Sequence, residues 1–203
     1  MLSALILSGG QGSRMGTDKG LVMLGDAPLV IHVADVLSNV ADEVLVSVGK
    51  GRSEMYADTL GPEFTIVEDS AEGVGPLEGL TKGLNAANGE YVLVSPCDTP
   101  FLKKEVCLAI VAAAKSRDGA VPRTGERHLE PLHGAYLRAT CSKAFERALA
   151  SGKRAPTQAY ANLDIAYIDE GALRVIDADL LSFWNINGPD ELERAKAQLA
   201  LLR

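Results

Sequence analysis

The chain has 203 residues, 47% hydrophobic and 23% charged, with a formal net charge of −7. This composition fits a globular protein with one full core and length enough for an added lobe. An acidic balance without a basic run argues against a nucleic-acid partner, and no apolar run approaches membrane-spanning length.

The first apolar stretch, Leu2 to Leu7, is short and lacks the basic flank of a signal peptide. Cys97, Cys107 and Cys141 are odd in number and fall in no CxxC spacing, which predicts reduced thiols and a cytoplasmic protein. Strands are expected at Ala4–Leu7, Glu43–Val48, Phe64–Val67 and Tyr91–Val94, where β-branched or apolar runs occur. Amphipathic helices at about Leu29–Asn39, Arg52–Leu60, Leu77–Ala87 and Lys103–Ser116 alternate with them. Apolar strands separated by helices mean βαβ crossovers and a parallel sheet covered on both faces.

The second half is less regular. Gly119–Val121 and Leu132–Leu137 read as strands, and Ala139–Ala150 as a helix. Ile165–Ile168 and Leu173–Ile176 suggest two short strands, with Glu170-Gly171 as the turn between them. The last helix opens at Pro189, with Asp190, Glu191 and Glu193 favouring its positive end and Leu192, Ala195, Leu199 and Leu202 as its buried stripe. Without a repeat, a low-complexity segment or a linker, residues 1–203 are expected to form one domain.

Ligands of open parallel sheets lie at the carboxyl ends of the strands, which is where SGGQGSRMGTDK falls. Glycines at 9, 10, 12 and 16 allow backbone N–H groups to turn toward an anion. Arg14 can fork onto phosphate oxygens, and Lys19 is a compact charge within reach of a neighbouring phosphate. The stretch is neither a Walker loop, since Thr17 follows Gly16, nor a dinucleotide fingerprint, since Arg14 stands at the last glycine. The bland alternative is a glycine-rich turn with solvated charges.

A second constellation bears on that choice. The run YVLVSPCDTPF ends an apolar strand with Asp98, between Pro96 and Pro100, which cannot donate to the ladder. A lone aspartate there is commonly a turn or cap residue. Beside a phosphate loop it is well placed to hold Mg²⁺, a hard cation that takes carboxylate and phosphate oxygens.

The stretch LSGGQGSRMGTDKGLVMLGDAPL resembles the N-terminal signature of nucleotidyltransferases, specifically the molybdenum cofactor guanylyltransferases. The resemblance continues through VEDS at 67–70, GPLEGL at 75–80, PCDTPFL at 96–102, EPLHGAY at 130–136 and FWNINGPDEL at 183–192. It implies a three-layer α/β/α, Rossmann-like nucleotidyltransferase fold with a mostly parallel sheet. It also implies a reaction in which GTP and metal-loaded molybdopterin give a guanine dinucleotide cofactor and pyrophosphate, with transient contacts to other cofactor-biosynthesis proteins.

Carried over by residue, the resemblance puts Leu7, Ser8, Gly9 and Gly10 at the nucleotide and Lys19 on its phosphates. Arg14 and Gly16 match the signature's arginine and glycine, and Asp69 lies on the nucleotide side. Asp98 is expected to bind nucleotide and Mg²⁺, so Arg14, Lys19 and Asp98 carry the chemistry. Gly75 and Gly79 match the family's GPLxG loop, while Asn185 and Asn187 match its NxN near the acceptor. Those asparagines are equally expected as caps of the final helix.

The chain departs from the family pattern at three places. Ser8 stands where alanine is common, Gly188 replaces threonine, and Ser47 stands where some members carry a nucleotide-contacting asparagine. Of the histidines, His32 and His128 read as dispensable and His133 as structural. The competing readings are a cytidylyltransferase, acting on molybdopterin or another phosphorylated acceptor, a sugar-nucleotide pyrophosphorylase, for which the chain lacks room, and a nucleotide-binding module without catalysis.

Overall fold

The first strand, β1 (Leu2–Ser8), sends successive side chains to opposite faces of a sheet. Ala4 and Ile6 enter one apolar core and Leu5 and Leu7 the other, so the strand is buried on both sides. The computed structural model describes residues 1–9, 18–70, 75–125 and 128–202. After β1 come a 3-10 turn (Lys19–Leu21), a short hairpin of β2 (Met23–Leu24) and β3 (Ala27–Pro28), and helix α1 (Leu29–Ser38). The chain continues through β4 (Glu43–Val48), α2 (Ser53–Leu60), β5 (Thr65–Glu68), α3 (Pro76–Ala86), β6 (Tyr91–Pro96) and α4 (Lys104–Ala114). Its second half holds β7 (Gly119–Thr124), β8 (His128–Leu129), β9 (Ala135–Leu137), α5 (Arg138–Ala150), β10 (Ile165–Asp169), α6 (Glu170–Ile176) and α7 (Pro189–Leu202).

The main sheet runs in the order β10-β7-β9-β6-β1-β4-β5, with β8 paired to the edge of β7. Pairings within β6-β1-β4-β5 and between β7 and β10 are parallel, while β9 runs antiparallel to both its neighbours. The expected α/β/α architecture with a mostly parallel sheet is therefore present. From β1 the chain winds outward to β4 and β5, then returns to lay β6 against the opposite side of β1. That reversal opens a crevice beyond the carboxyl ends of β1 and β6, where ligands of such sheets bind.

Two cores make the outer layers. Val30, Val33, Ala34 and Leu37 of α1, Tyr56 and Leu60 of α2, Val106, Cys107 and Ile110 of α4 and Leu173 of α6 pack on one face. Leu77, Leu80 and Leu84 of α3 with Cys141, Phe145 and Ala148 of α5 pack on the other. A smaller cluster of Val22, Leu24, Leu29, Phe101, Ile186 and Ala195 ties α7 to the hairpin and to the segment after β6. The three cysteines are free and buried. Among the described residues, no helix is long and apolar enough to cross a membrane.

Three sequence expectations need correction. Residues 173–176 form the end of helix α6 and not a strand, because Leu173 and Ile176, three apart, share the packed side while Val175 is 87% exposed. Glu170 and Arg174 close a salt bridge along the same helix at 2.7 Å. The strand expected at 132–137 begins only at Ala135, since Pro131 opens a 3-10 turn (Pro131–His133) that buries His133. In α7 the stripe is narrower than its leucines suggest: Ala195 is fully buried, Leu192 and Leu199 pack partly, and Leu202 is exposed.

Candidate active site

Three segments far apart in sequence converge at the crevice. Asp18 caps the turn that carries Lys19, its side chain accepting from the Gly20 N–H at 3.2 Å. Lys19 forms an ion pair with Asp98, which follows β6, and donates from Nζ to Asn187 Oδ1 at 2.7 Å. Backbone bonds hold these pieces in place: Cys97 N–H donates to Leu7 at 3.1 Å, and Ile186 N–H donates to the Asp98 carbonyl at 3.0 Å. Phe101 stacks on Trp184 with ring centroids 5.5 Å apart, which keeps the segment bearing Asn185 and Asn187 against the end of β6.

Asp98 is 8% exposed, and its Oδ1 has no hydrogen-bond partner among the described residues. A buried carboxylate oxygen in that state is costly unless something binds it. It suits a hard divalent cation that draws its remaining ligands from phosphate and water. Among the described residues no group of three or more His, Cys, Asp or Glu side chains forms a complete cation site.

The opposite wall is built from β4, β5 and the start of α3. Asp69 follows β5 and donates its backbone N–H to Val48 at 2.9 Å. Its carboxyl accepts from the Ser47 hydroxyl across 3.4 Å, at the limit of a hydrogen bond. Burial, and then the neighbouring charge of Glu78, push the Asp69 carboxyl up to about 6, with Lys82 and Ser47 pulling the other way. Gly79 makes a close approach possible here, because a Cβ on it would lie 2.5 Å from Ser47 Oγ and 3.4 Å from both Asp69 Oδ1 and Leu7. Asp69 Oδ2 in turn lies 3.0 Å from where a Cβ on Gly9 would stand. Gly75, at φ +95°, turns the chain into α3.

Of the residues expected at the site, Leu7, Gly9, Ser47, Asp69 and Gly79 come together at this wall, Gly75 lies beside Arg154, and Lys19, Asp98 and Asn187 form the facing cluster. Asn187 turns its amide oxygen to the Lys19 ammonium, while the Asn185 side chain donates to the Phe183 carbonyl at 3.4 Å. Gly10, Arg14 and Gly16 lie outside the described residues. The Ser8 hydroxyl points inward to Tyr56, so the group that distinguishes Ser8 from alanine works away from the crevice.

Sequence reasoning missed Glu78, which is 6% exposed, accepts from the Ser70 N–H at 2.8 Å and raises Asp69. Its place in GPLEGL was the available signal, since an acidic residue in a helix's first turn faces the N-terminal end. It also missed Asp177, fully buried, which accepts from the Ser182 N–H at 2.8 Å and pairs with Lys103 at 2.9 Å. Burial alone would raise that carboxyl, but Lys103 and Ser182 together hold it below its ordinary range. His133 fits its structural expectation, and the other two histidines make their contacts apart from the Lys19 cluster. His32 meets the Leu24 carbonyl at 2.9 Å, and His128 lies 3.4 Å from Glu130. Burial drives His133, edge-on to Phe183, down to about 3, so it stays neutral.

The profile of the MobA-like NTP transferase domain matches residues 4–164. A molybdenum cofactor guanylyltransferase from Desulfosudis oleivorans is 33% identical over 199 residues, covering 98% of this chain and 96% of that protein. The solved structure of molybdopterin-guanine dinucleotide biosynthesis protein A from Archaeoglobus fulgidus superposes with a TM-score of 0.81 at 28% identity, covering 98% of this chain and 99% of the other. A 4-diphosphocytidyl-2C-methyl-D-erythritol synthase from Anaerococcus prevotii shares the fold, with a TM-score of 0.75 at 18% identity over 98% of this chain and 96% of its own.

Proposed function

The chain belongs to the MobA-like NTP transferase family, and on that premise we propose that it transfers GMP from GTP to metal-loaded molybdopterin. A terminal phosphate oxygen of the pterin attacks the α-phosphorus of GTP. A new P–O bond forms, the α–β anhydride bond breaks, and pyrophosphate leaves with the displaced electron pair. The nucleophile is already anionic, so the site needs charge neutralisation and in-line positioning more than a strong base.

The observation that carries this reading is the meeting of Lys19, Asp98 and Asn187 at the crevice. Lys19 neutralises phosphate charge. Asp98 is the residue that would hold Mg²⁺, which when bound supplies Lewis-acid stabilisation of phosphate oxygens. Asn187, touching the lysine, joins the acceptor side to the nucleotide side, and Asn185 belongs to the same segment. Arg14, Gly10 and Gly16 complete the phosphate loop by their match to the family signature. Leu7, Ser8 and Gly9 offer backbone groups to guanine, and Ser47 and Asp69 stand beside them with polar groups able to answer its N–H donors and O6 acceptor. Gly75 and Gly79 let α3 approach that side closely.

We place these functions in one domain spanning residues 1–203, in the cytoplasm, with transient contacts to the proteins that supply the pterin and take the product. The test is to incubate the protein with each nucleoside triphosphate, Mg²⁺ and metal-loaded molybdopterin, and to identify the product by mass. A guanine dinucleotide and pyrophosphate formed from GTP are expected. Equal or better use of CTP replaces the guanylyl reading by a cytidylyl one, and acceptor-independent behaviour with no pyrophosphate reduces the protein to a nucleotide binder.

A further inference from the structure

Tyr56 is fully buried, yet its hydroxyl is shared by the two chain segments that bracket the glycine-rich loop. It bonds Ser8 at the end of β1 and Asp18 immediately before Lys19. An ionised Asp18 can only accept, so Tyr56 donates to Asp18 and receives the Ser8 proton. The other oxygen of Asp18 is paired with Arg52, whose side chain is 32% exposed against 6% for the aspartate. Asp18 thus serves Tyr56, Arg52 and the Gly20 N–H together, which fixes the turn from which Lys19 projects.

Gly20 carries the matching signature. A Cβ there would stand 2.3 Å from Tyr56 Oη and 2.5 Å from Ser8 Oγ, so the hydroxyl pair occupies the space a side chain would need. Tyr56 and the Ser8 hydroxyl lie on the core side of the turn, with Arg52 partly exposed beside them, whereas Lys19 reaches the other way to Asp98 and Asn187. The network holds the lysine-bearing turn against β1 and the start of α2.

We propose that Tyr56, with Asp18 and Arg52, is a positioning device for Lys19, locking the turn so that the ammonium meets the reacting phosphates. This rests on the role given to Lys19 above. A misplacement of about 1 Å in such a group costs on the order of a hundredfold in rate, so the hydroxyl matters far beyond the bond it makes. Ser8 supplies the proton that completes the network in this chain.

The experiment is a double-mutant cycle of Tyr56→Phe and Lys19→Ala, read as kcat and KM for GTP with metal-loaded molybdopterin, alongside thermal melting. Tyr56→Phe keeps the ring in the core, and is expected to lower kcat by about tenfold to a hundredfold with KM for GTP within about twofold. In the Lys19→Ala background the same change is expected to cost no further kcat, although it lowers the melting temperature in both. A folded Tyr56→Phe protein with wild-type kcat overturns the proposal, and so does a kcat loss that persists undiminished without the lysine. Should Tyr56→Phe not fold, Arg52→Gln, altering a partly exposed side chain of the same network, is expected to give the same pattern, and unchanged kcat there overturns it equally. Lys19→Ala alone retaining turnover overturns instead the role of Lys19, which separates the two failures.

Discussion

Asp69→Asn should make the protein more stable while making it a worse enzyme. In the folded state the Asp69 carboxyl is pushed up to about 6 from an ordinary 3.8, by burial first and by Glu78 second. The folded protein therefore holds this proton more tightly than the unfolded chain between pH 3.8 and about 6. Stability from this group is fully present below that window and is lost as pH rises through it. The difference, at about 1.4 kcal/mol per pH unit, sets a ceiling of about 3 kcal/mol above pH 6. Solvent screening of a partly exposed carboxyl cuts this to about 1–2 kcal/mol. Asparagine keeps an acceptor for Ser47 but removes the charge, so the variant gains that amount at pH 7.5 and almost none at pH 4. For a chain of this length the gain corresponds to a melting temperature higher by about 2–8 °C. Differential scanning calorimetry of both proteins across pH 4–8 measures it, and GTP titration is expected to show weaker binding by the variant. Glu78→Gln should move the acid limb of GTP use to lower pH, by removing the second cause of the raised carboxyl. An unchanged or lower melting temperature for Asp69→Asn at pH 7.5, or a gain independent of pH, refutes the electrostatic account of this wall.

Lys19→Ala should lower turnover by about 10²–10³, as loss of a preorganised charge contact does, with circular dichroism unchanged and a melting temperature lowered because Asp98 loses its partner. Near-normal turnover in the folded variant removes the lysine from the chemistry. Asp98→Asn should keep the shape of the crevice and abolish Mg²⁺ dependence, read directly by metal titration calorimetry in the presence of GTP. Equal metal affinity in variant and wild type means that the cation is held elsewhere. Asn187→Ala should raise KM for molybdopterin and also lower kcat, since its amide contacts Lys19, whereas Asn185→Ala should affect the pterin alone. A melting temperature change without either kinetic effect assigns both asparagines to structure.

The first half of the fold was legible because β1, β4 and β6 are mostly apolar and buried on both faces, as in Glu43–Val48, where expectation and structure coincide. The short, partly exposed hairpin of β2 and β3 gave no such signal. The second half was harder. Residues 173–176 carry too few apolar positions to separate a two-residue from a four-residue period, and only packing on the sheet decides for the helix. In α7, Leu202 satisfies helical spacing but extends past the cluster that buries Ala195, so periodicity alone overstated the stripe. At the site, Lys19 and Asp98 were legible from charge types at strand ends. Tyr56 was not, since a tyrosine in an amphipathic helix reads as core, and nothing in its neighbours announces that its hydroxyl reaches 38 residues back to Asp18. The pairing of Asn187 with Lys19 spans 168 residues and was equally beyond any local pattern.

The stack of Phe101 on Trp184 has a practical consequence, because Trp184 is the sole tryptophan of the chain. It sits one residue before Asn185, and its ring partner lies three residues after Asp98. Excitation of indole therefore reports on a single junction, the one where the C-terminal segment meets the loop after β6. Any event that separates these two segments changes the environment of the ring, and any event that tightens them shields it from quenchers such as acrylamide. The protein carries its own optical gauge of whether its C-terminal segment stays docked on the loop after β6, readable without a label.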